Sequence, residues 1–253
     1  AFVNACALLD IGIEWIYPDD EQSYIACNIT AQQISERLAG QNGRITAVYI
    51  TSPDYLGNMQ DIAAIARACH ESGALLSVDN AHGAYLKFMP TPAHPMDLGA
   101  DICCDSAHKT LGVITGGAYL HISASAPAVL AERAKASFSV FGTSSPSYLI
   151  LQSLDAANGT TEAFRNELRT FLPEADSLKA KLAAHGFELA GSEALKLTLK
   201  PKSFGYSGQD IAATLEAANI YPEFYDPDYI VLMLSPRHSE RELDALCDTL
   251  CSL

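Results

Sequence analysis

Short apolar runs rich in β-branched residues alternate along this chain with stretches whose apolar positions recur at helical spacing. Residues 45–51, 75–79, 101–104 and 117–122 are predicted strands. Residues 61–72 are predicted helix, with Ile62, Ile65, Ala66 and Cys69 on one face and Gly73 closing it. Thr30 is placed to cap another helix running to about residue 39, ended by the glycine-containing turn at 40–43. Strands this apolar, separated by helices, call for a mainly parallel sheet flanked by helices, an α/β fold. Residues 13–17 read as one more short strand.

After a long helix over 147–171 the pattern changes. Helix 174–185, strand 194–199, helix 207–219, strand 229–234 and helix 239–250 follow, which suits a smaller C-terminal α+β lobe. Residues 1–9 read as the middle of a helix with no capping residue before it, so the chain is expected to be part of a longer protein.

Composition narrows the partners. A formal charge of −14 over 253 residues argues against a nucleic-acid backbone, which calls for clustered Lys and Arg. No apolar run reaches the roughly 18 residues needed to cross a bilayer. Seven cysteines, odd in number, scattered and without a CxxC pair, read as reduced, buried thiols in a cytoplasmic protein, with no structural metal. His70, His94, His121, His185 and His238 read as isolated, and Trp15 and the tyrosines as core.

The charged ends of the strands are more informative, because ligands of α/β folds gather at the carboxyl edge of the sheet. Asp79 ends one apolar run, and Ser106 and Lys109 follow another. An amine and a carboxylate so placed are the two protein groups that pyridoxal 5'-phosphate requires. The lysine supplies the Schiff-base nitrogen, and the aspartate keeps the pyridine nitrogen protonated. Ser106 and His108 add donors suited to a phosphate.

Three segments carry a family resemblance: SVDNAHGAYLKF at 77–88, DLGADICCDSAHKTL at 97–111 and FGTSSPSYLILQSLDAA at 141–157. In order and spacing they resemble the ornithine/lysine/arginine decarboxylases of pyridoxal-phosphate fold type I. The resemblance implies residues 1–170 as the remainder of a cofactor-binding large domain and 171–253 as a small domain. Lys109 is similar to the lysine that holds the cofactor and Asp79 to the partner of its ring nitrogen. Ala81 would pack on the ring, and His82 would lie near its phenolic oxygen or the substrate carboxylate. Ser106 and His108 resemble phosphate contacts. Ser144 and Ser145 fall in a segment that reaches the neighbouring subunit's phosphate, so a homodimer with shared sites is implied. Glu223, in IYPE at 220–223, resembles a residue facing the substrate's distal amine or guanidinium.

Two departures bear on substrate choice: Asp54 stands where threonine is common, and Asn80 where glutamate is frequent. The resemblance also implies a Ser/Gly/Thr-rich phosphate turn and a ring-stacking histidine ahead of Ala1. Residues 1–78 offer no substitute, so this chain by itself is expected to hold the cofactor weakly or not at all. Within the same fold an aminotransferase or a carbon–sulfur lyase is the alternative activity, and a cofactor-free relic or regulatory partner is the alternative class. The residues do not choose among arginine, lysine and ornithine.

Overall fold

A computed structural model of the chain describes residues 2–18, 23–41 and 43–253. Helices α1 (Phe2–Leu8) and α2 (Ala31–Leu38) precede strand β1 (Ala47–Thr51), helix α3 (Ile62–Glu71) and strand β2 (Leu75–Asp79). Strand β3 (Ile102–Asp105), the single turn of α4 (Ala107–Thr110) and strand β4 (Tyr119–Ile122) follow. The sheet order is β1-β2-β3-β4, parallel through β3, with β4 antiparallel at the edge.

Local chemistry explains several boundaries. Thr30 and Gln33 form a reciprocal capping box at the start of α2. Asp61 accepts the Ala64 N–H at the start of α3, and Gly73 closes that helix at φ +74°. Ile62, Ile65, Ala66 and Cys69 then bury against Val48, Leu76 and Val78. The opposite face of the sheet is more open than apolar strands imply: Tyr49, Cys104 and Leu120 are exposed and Asp79 half-buried.

Helices α5 (Ala128–Ser137), α6 (Tyr148–Gly159) and α7 (Thr161–His185) lead to the second sheet. Its strands are β5 (Leu189–Ala190), β6 (Lys196–Leu199), β7 (Phe224–Tyr225) and β8 (Ile230–Met233), antiparallel in the order β5-β6-β8-β7. Helices α8 (Gly208–Ala217) and α9 (Glu240–Cys251), each opened by a serine capping box, pack in the same lobe. The expected two strands are thus four, because β5 and β7 are two-residue edges below the length at which alternation registers.

Other expectations are corrected. The break expected between residues 171 and 174 is absent, and α7 runs through Pro173. Proline removes one backbone donor, but Leu168, Phe171, Ala175, Leu178 and Leu182 on both sides of it bury in one core. Residues 13–17 form no strand; the Trp15 carbonyl instead accepts the Arg37 guanidinium at 2.6 Å. Trp15, Tyr17, Tyr24, Tyr148 and Tyr221 are exposed rather than core. All seven cysteines are free, but Cys27 and Cys104 are exposed. His94 and His121 are not isolated, since both bond to Asp105. Among the described residues no helix is long and apolar enough to cross a membrane.

Leu182 is completely buried in the core joining α7 to the second sheet. Leu182→Ala is expected to lower unfolding free energy by about 3 kcal/mol, read as a lower urea midpoint at unchanged slope.

Candidate active site

Two turns leave the carboxyl edge of the first sheet side by side. Asp79 pairs in register with Cys104, so the turn after β2 and the turn after β3 emerge together. The first carries Asp79, Asn80, Ala81, His82 and Gly83; the second carries Ser106, His108 and Lys109. They meet where the Lys109 Nζ lies 3.0 Å from His82 Nε2.

Each group is held by its neighbours. The Asp79 carboxylate accepts the Tyr49 hydroxyl at 2.8 Å and the Ala81 N–H at 3.1 Å. Burial, and then the bond to Asp79, push the Tyr49 phenol well above its ordinary range, so it stays a donor. His108 Nδ1 donates to the Gly117 carbonyl at 3.0 Å, fixing that ring. Ser106 is the residue before α4 and makes no side-chain capping bond.

His82 is 5% exposed. Burial first, then the nearby charges of Lys196 and Lys109, lower its pKa to about 3. It is therefore neutral at physiological pH. The Lys109 amine donates to Nε2, which puts the ring proton on Nδ1, a buried atom with no partner among the described residues. Among the described residues Lys109 makes no ion pair, so its nitrogen faces an imidazole rather than a carboxylate.

The C-terminal lobe contributes a further wall. Segment 54–58 is clamped against the second sheet: Lys196 Nζ donates to the Asp54 carbonyl at 3.2 Å and Thr198 Oγ1 to the Leu56 carbonyl at 2.8 Å. The Tyr55 ring stands edge-on to His82, centroids 5.2 Å apart, and its hydroxyl donates to Glu223 at 3.2 Å. Lys196 is buried beside Glu193 at 3.6 Å and lies 5.8 Å from the Tyr55 ring centre. Burial lowers the Lys196 pKa and raises that of Glu193.

Asp79, Ala81, His82, Ser106, His108 and Lys109 thus share one edge, and Glu223 joins them through Tyr55. Ser144 and Ser145 do not join them; they lie exposed on the loop between α5 and α6. Tyr55 and Lys196 were not identified from sequence. Tyr55 directly follows Asp54, a position already singled out in the sequence, whereas nothing local marks Lys196. The Asp54 carboxylate is occupied within its own turn and by Cys27. Asn80 turns its amide to Asp105 at 2.7 Å.

These residues fit the ring and aldehyde end of pyridoxal phosphate. Among the described residues there is an amine without a competing carboxylate, a half-buried Asp79 carboxylate, the small Ala81, and the unpartnered Nδ1 of His82.

Because His82 is neutral when folded but has the ordinary pKa of about 6.5 when unfolded, the unfolded chain binds the extra proton between about pH 6.5 and 3. The stability from its burial is complete above that window and is lost as pH falls through it. Urea unfolding of wild type is expected to weaken toward pH 4 with a His82 contribution of up to about 1.4 kcal/mol per pH unit, absent in His82→Asn.

The chain matches the Orn/Lys/Arg decarboxylase major domain over residues 5–199. It is 32% identical over 248 residues to the uncharacterized protein YaaO of Bacillus subtilis, a match covering 92% of this chain and 51% of that protein. It is 28% identical over 259 residues to an arginine decarboxylase of the same organism, covering 94% and 51% respectively. The chain therefore spans about half the length of these relatives. Among solved structures, serine palmitoyltransferase of Sphingomonas wittichii superposes with a TM-score of 0.70 at 15% identity, covering 88% of this chain and 58% of that one. That likeness shows the fold, that of the fold type I pyridoxal-phosphate enzymes. By its match over residues 5–199, the chain belongs to the Orn/Lys/Arg decarboxylase family.

Proposed function

We propose that this chain carries the lysine-bearing part of a cytoplasmic, pyridoxal-phosphate-dependent decarboxylase acting on arginine, lysine or ornithine. The observation that carries the reading is the Lys109 amine 3.0 Å from a neutral, buried His82, in the turn that begins at Asp79. Residues 1–170 would belong to the cofactor-binding domain and 171–253 to the small domain. The relatives support the reaction class.

When bound, pyridoxal phosphate supplies an electron sink for the pair left when the bond from the α-carbon to the carboxylate breaks. Lys109 would hold its aldehyde carbon until the substrate amine displaces it. Asp79, oriented by Tyr49 and Ala81, would keep a proton on the pyridine nitrogen. Lys109 or His108 would return a proton to the α-carbon. His82, which stays neutral, would donate from Nδ1 to an anionic oxygen of cofactor or substrate without adding charge. Ser106 and His108 would hold the phosphate, and the exposed Ser144 and Ser145 the phosphate of a second subunit.

Glu223 would face the distal cation of the substrate. Its carboxylate is already oriented by Tyr55, so the recognising charge needs little reorganisation.

Lys109→Ala is expected to abolish the visible absorbance of lysine-bound cofactor and all amine formation. Borohydride-fixable absorbance in that variant would refute the role of Lys109. Glu223→Gln is expected to raise KM for the basic amino acid about tenfold or more, the loss of one charged hydrogen bond. Amine and carbon dioxide as products, rather than a keto acid or thiol, separate a decarboxylase from an aminotransferase or lyase.

A further inference from the structure

Asp105 is the last residue of β3, buried, and outside the groups discussed so far as chemical. One carboxylate oxygen accepts the Asn80 amide at 2.7 Å and the Cys103 thiol at 3.4 Å. The other accepts His94 Nε2 at 2.9 Å and His121 Nε2 at 3.0 Å. Burial alone would push this carboxyl upward; the bonds from His121, His94 and Asn80 overcome it and hold Asp105 below the usual carboxylate range.

Two histidines and an aspartate so close have the ligand atoms of a divalent-metal triad. Hydrogen bonding favours another role. The Met96 N–H donates to His94 Nδ1, which leaves the His94 proton on Nε2, aimed at Asp105. A ring nitrogen carrying that proton has no lone pair for a metal. The cluster is a set of donors converging on one anion.

The position of that anion gives it consequence. Asn80 directly follows Asp79, and its amide is turned away from the open face by the bond to Asp105. Its Oδ1 points at Gly83, where an added Cβ would come within 1.9 Å, so only glycine lets the turn close over the amide. The Asn80 carbonyl accepts the Gly83 N–H at 2.8 Å, completing the turn that presents Ala81 and His82. On its other side Asp105 is bonded directly to Ser106, the first residue of the lysine-bearing turn.

We propose that Asp105 is a positioning residue that fixes the turn of Asp79 and His82 to the turn of Lys109, setting the amine against the ring-nitrogen partner. It touches neither cofactor nor substrate and acts through Asn80 and through its own place in the chain. His94 and His121 orient the carboxylate and satisfy its remaining oxygen. The functional side rests on the reading of Lys109 and Asp79 given above.

The test is amide hydrogen exchange on the 253-residue chain without cofactor. Asp105→Asn leaves Asn80 facing an amide. It is expected to speed exchange at Ala81 and Gly83 and at His108 and Lys109 together, by about tenfold or more, while amides of Leu197 and Val231 stay as in wild type. The exchanged pair Asn80→Asp with Asp105→Asn again sets a donor against an acceptor between positions 80 and 105, and is expected to restore slow exchange in both turns. If Asp105→Asn does not fold, Asn80→Ala removes the 2.7 Å bond alone and should loosen Ala81 and Gly83. Unchanged rates in both turns of a folded variant, an equal rise across β6 and β8, or failure of the exchanged pair to restore protection would overturn the proposal. Because these rates are read without cofactor, the expected exchange pattern would leave the role of Asp105 in joining the turns intact even where the Lys109→Ala test defeats the cofactor reading.

Discussion

Asp79 sits opposite Cys104 in the parallel ladder of β2 and β3, and that register delivers two turns to one edge of the sheet. Parallel strands point their carboxyl ends the same way, so residues 30 positions apart in sequence, Asp79 and Lys109, leave the sheet as neighbours. The side chains at the ends of the ladder then do different work on its two faces. On the open face Asp79 meets Tyr49; on the buried face Asn80 meets Asp105. A one-residue slip would exchange these faces and destroy both arrangements.

The surroundings of the edge are arranged around low polarity. His82 is buried between two cationic groups and stays uncharged, which spares Lys109 a competing ion pair. Lys196, supplied by the second sheet, is buried with Glu193, and the two partly neutralise each other. A buried pair of this kind adds little net stability. Its effect here is geometric: Lys196 holds the Asp54 carbonyl, and the adjoining Tyr55 reaches both His82 and Glu223. The C-terminal lobe thereby shapes a site whose chemistry comes from the N-terminal sheet.

Much of the proposed site was legible because its residues lie in two short segments at strand ends. The NAHG and SAHK turns follow apolar runs whose periodicity is unmistakable, and the residue types at those turns limit the chemistry. The Asp105 cluster was not legible. His94, Asp105 and His121 are separated by 11 and 16 residues; β4 brings His121 to Asp105 by returning antiparallel beside β3, and His94 arrives from the loop before β3. Tyr55 and Lys196, which approach to 5.8 Å across the two sheets, are likewise joined by tertiary contact alone. Pro173 misled for the opposite reason: its local cost is real, but burial on both sides outweighs it.

The amino-acid order alone determined the α/β class, most of the longer elements and the two strand-end turns that carry Asp79 and Lys109, because hydrophobic period and turn chemistry are local properties. Tertiary structure decided which face of the first sheet stays open, that α7 passes through a proline, and that a buried carboxylate binds the two turns together. Those outcomes depend on desolvation and on which distant donors converge on one acceptor, quantities that no stretch of sequence carries by itself.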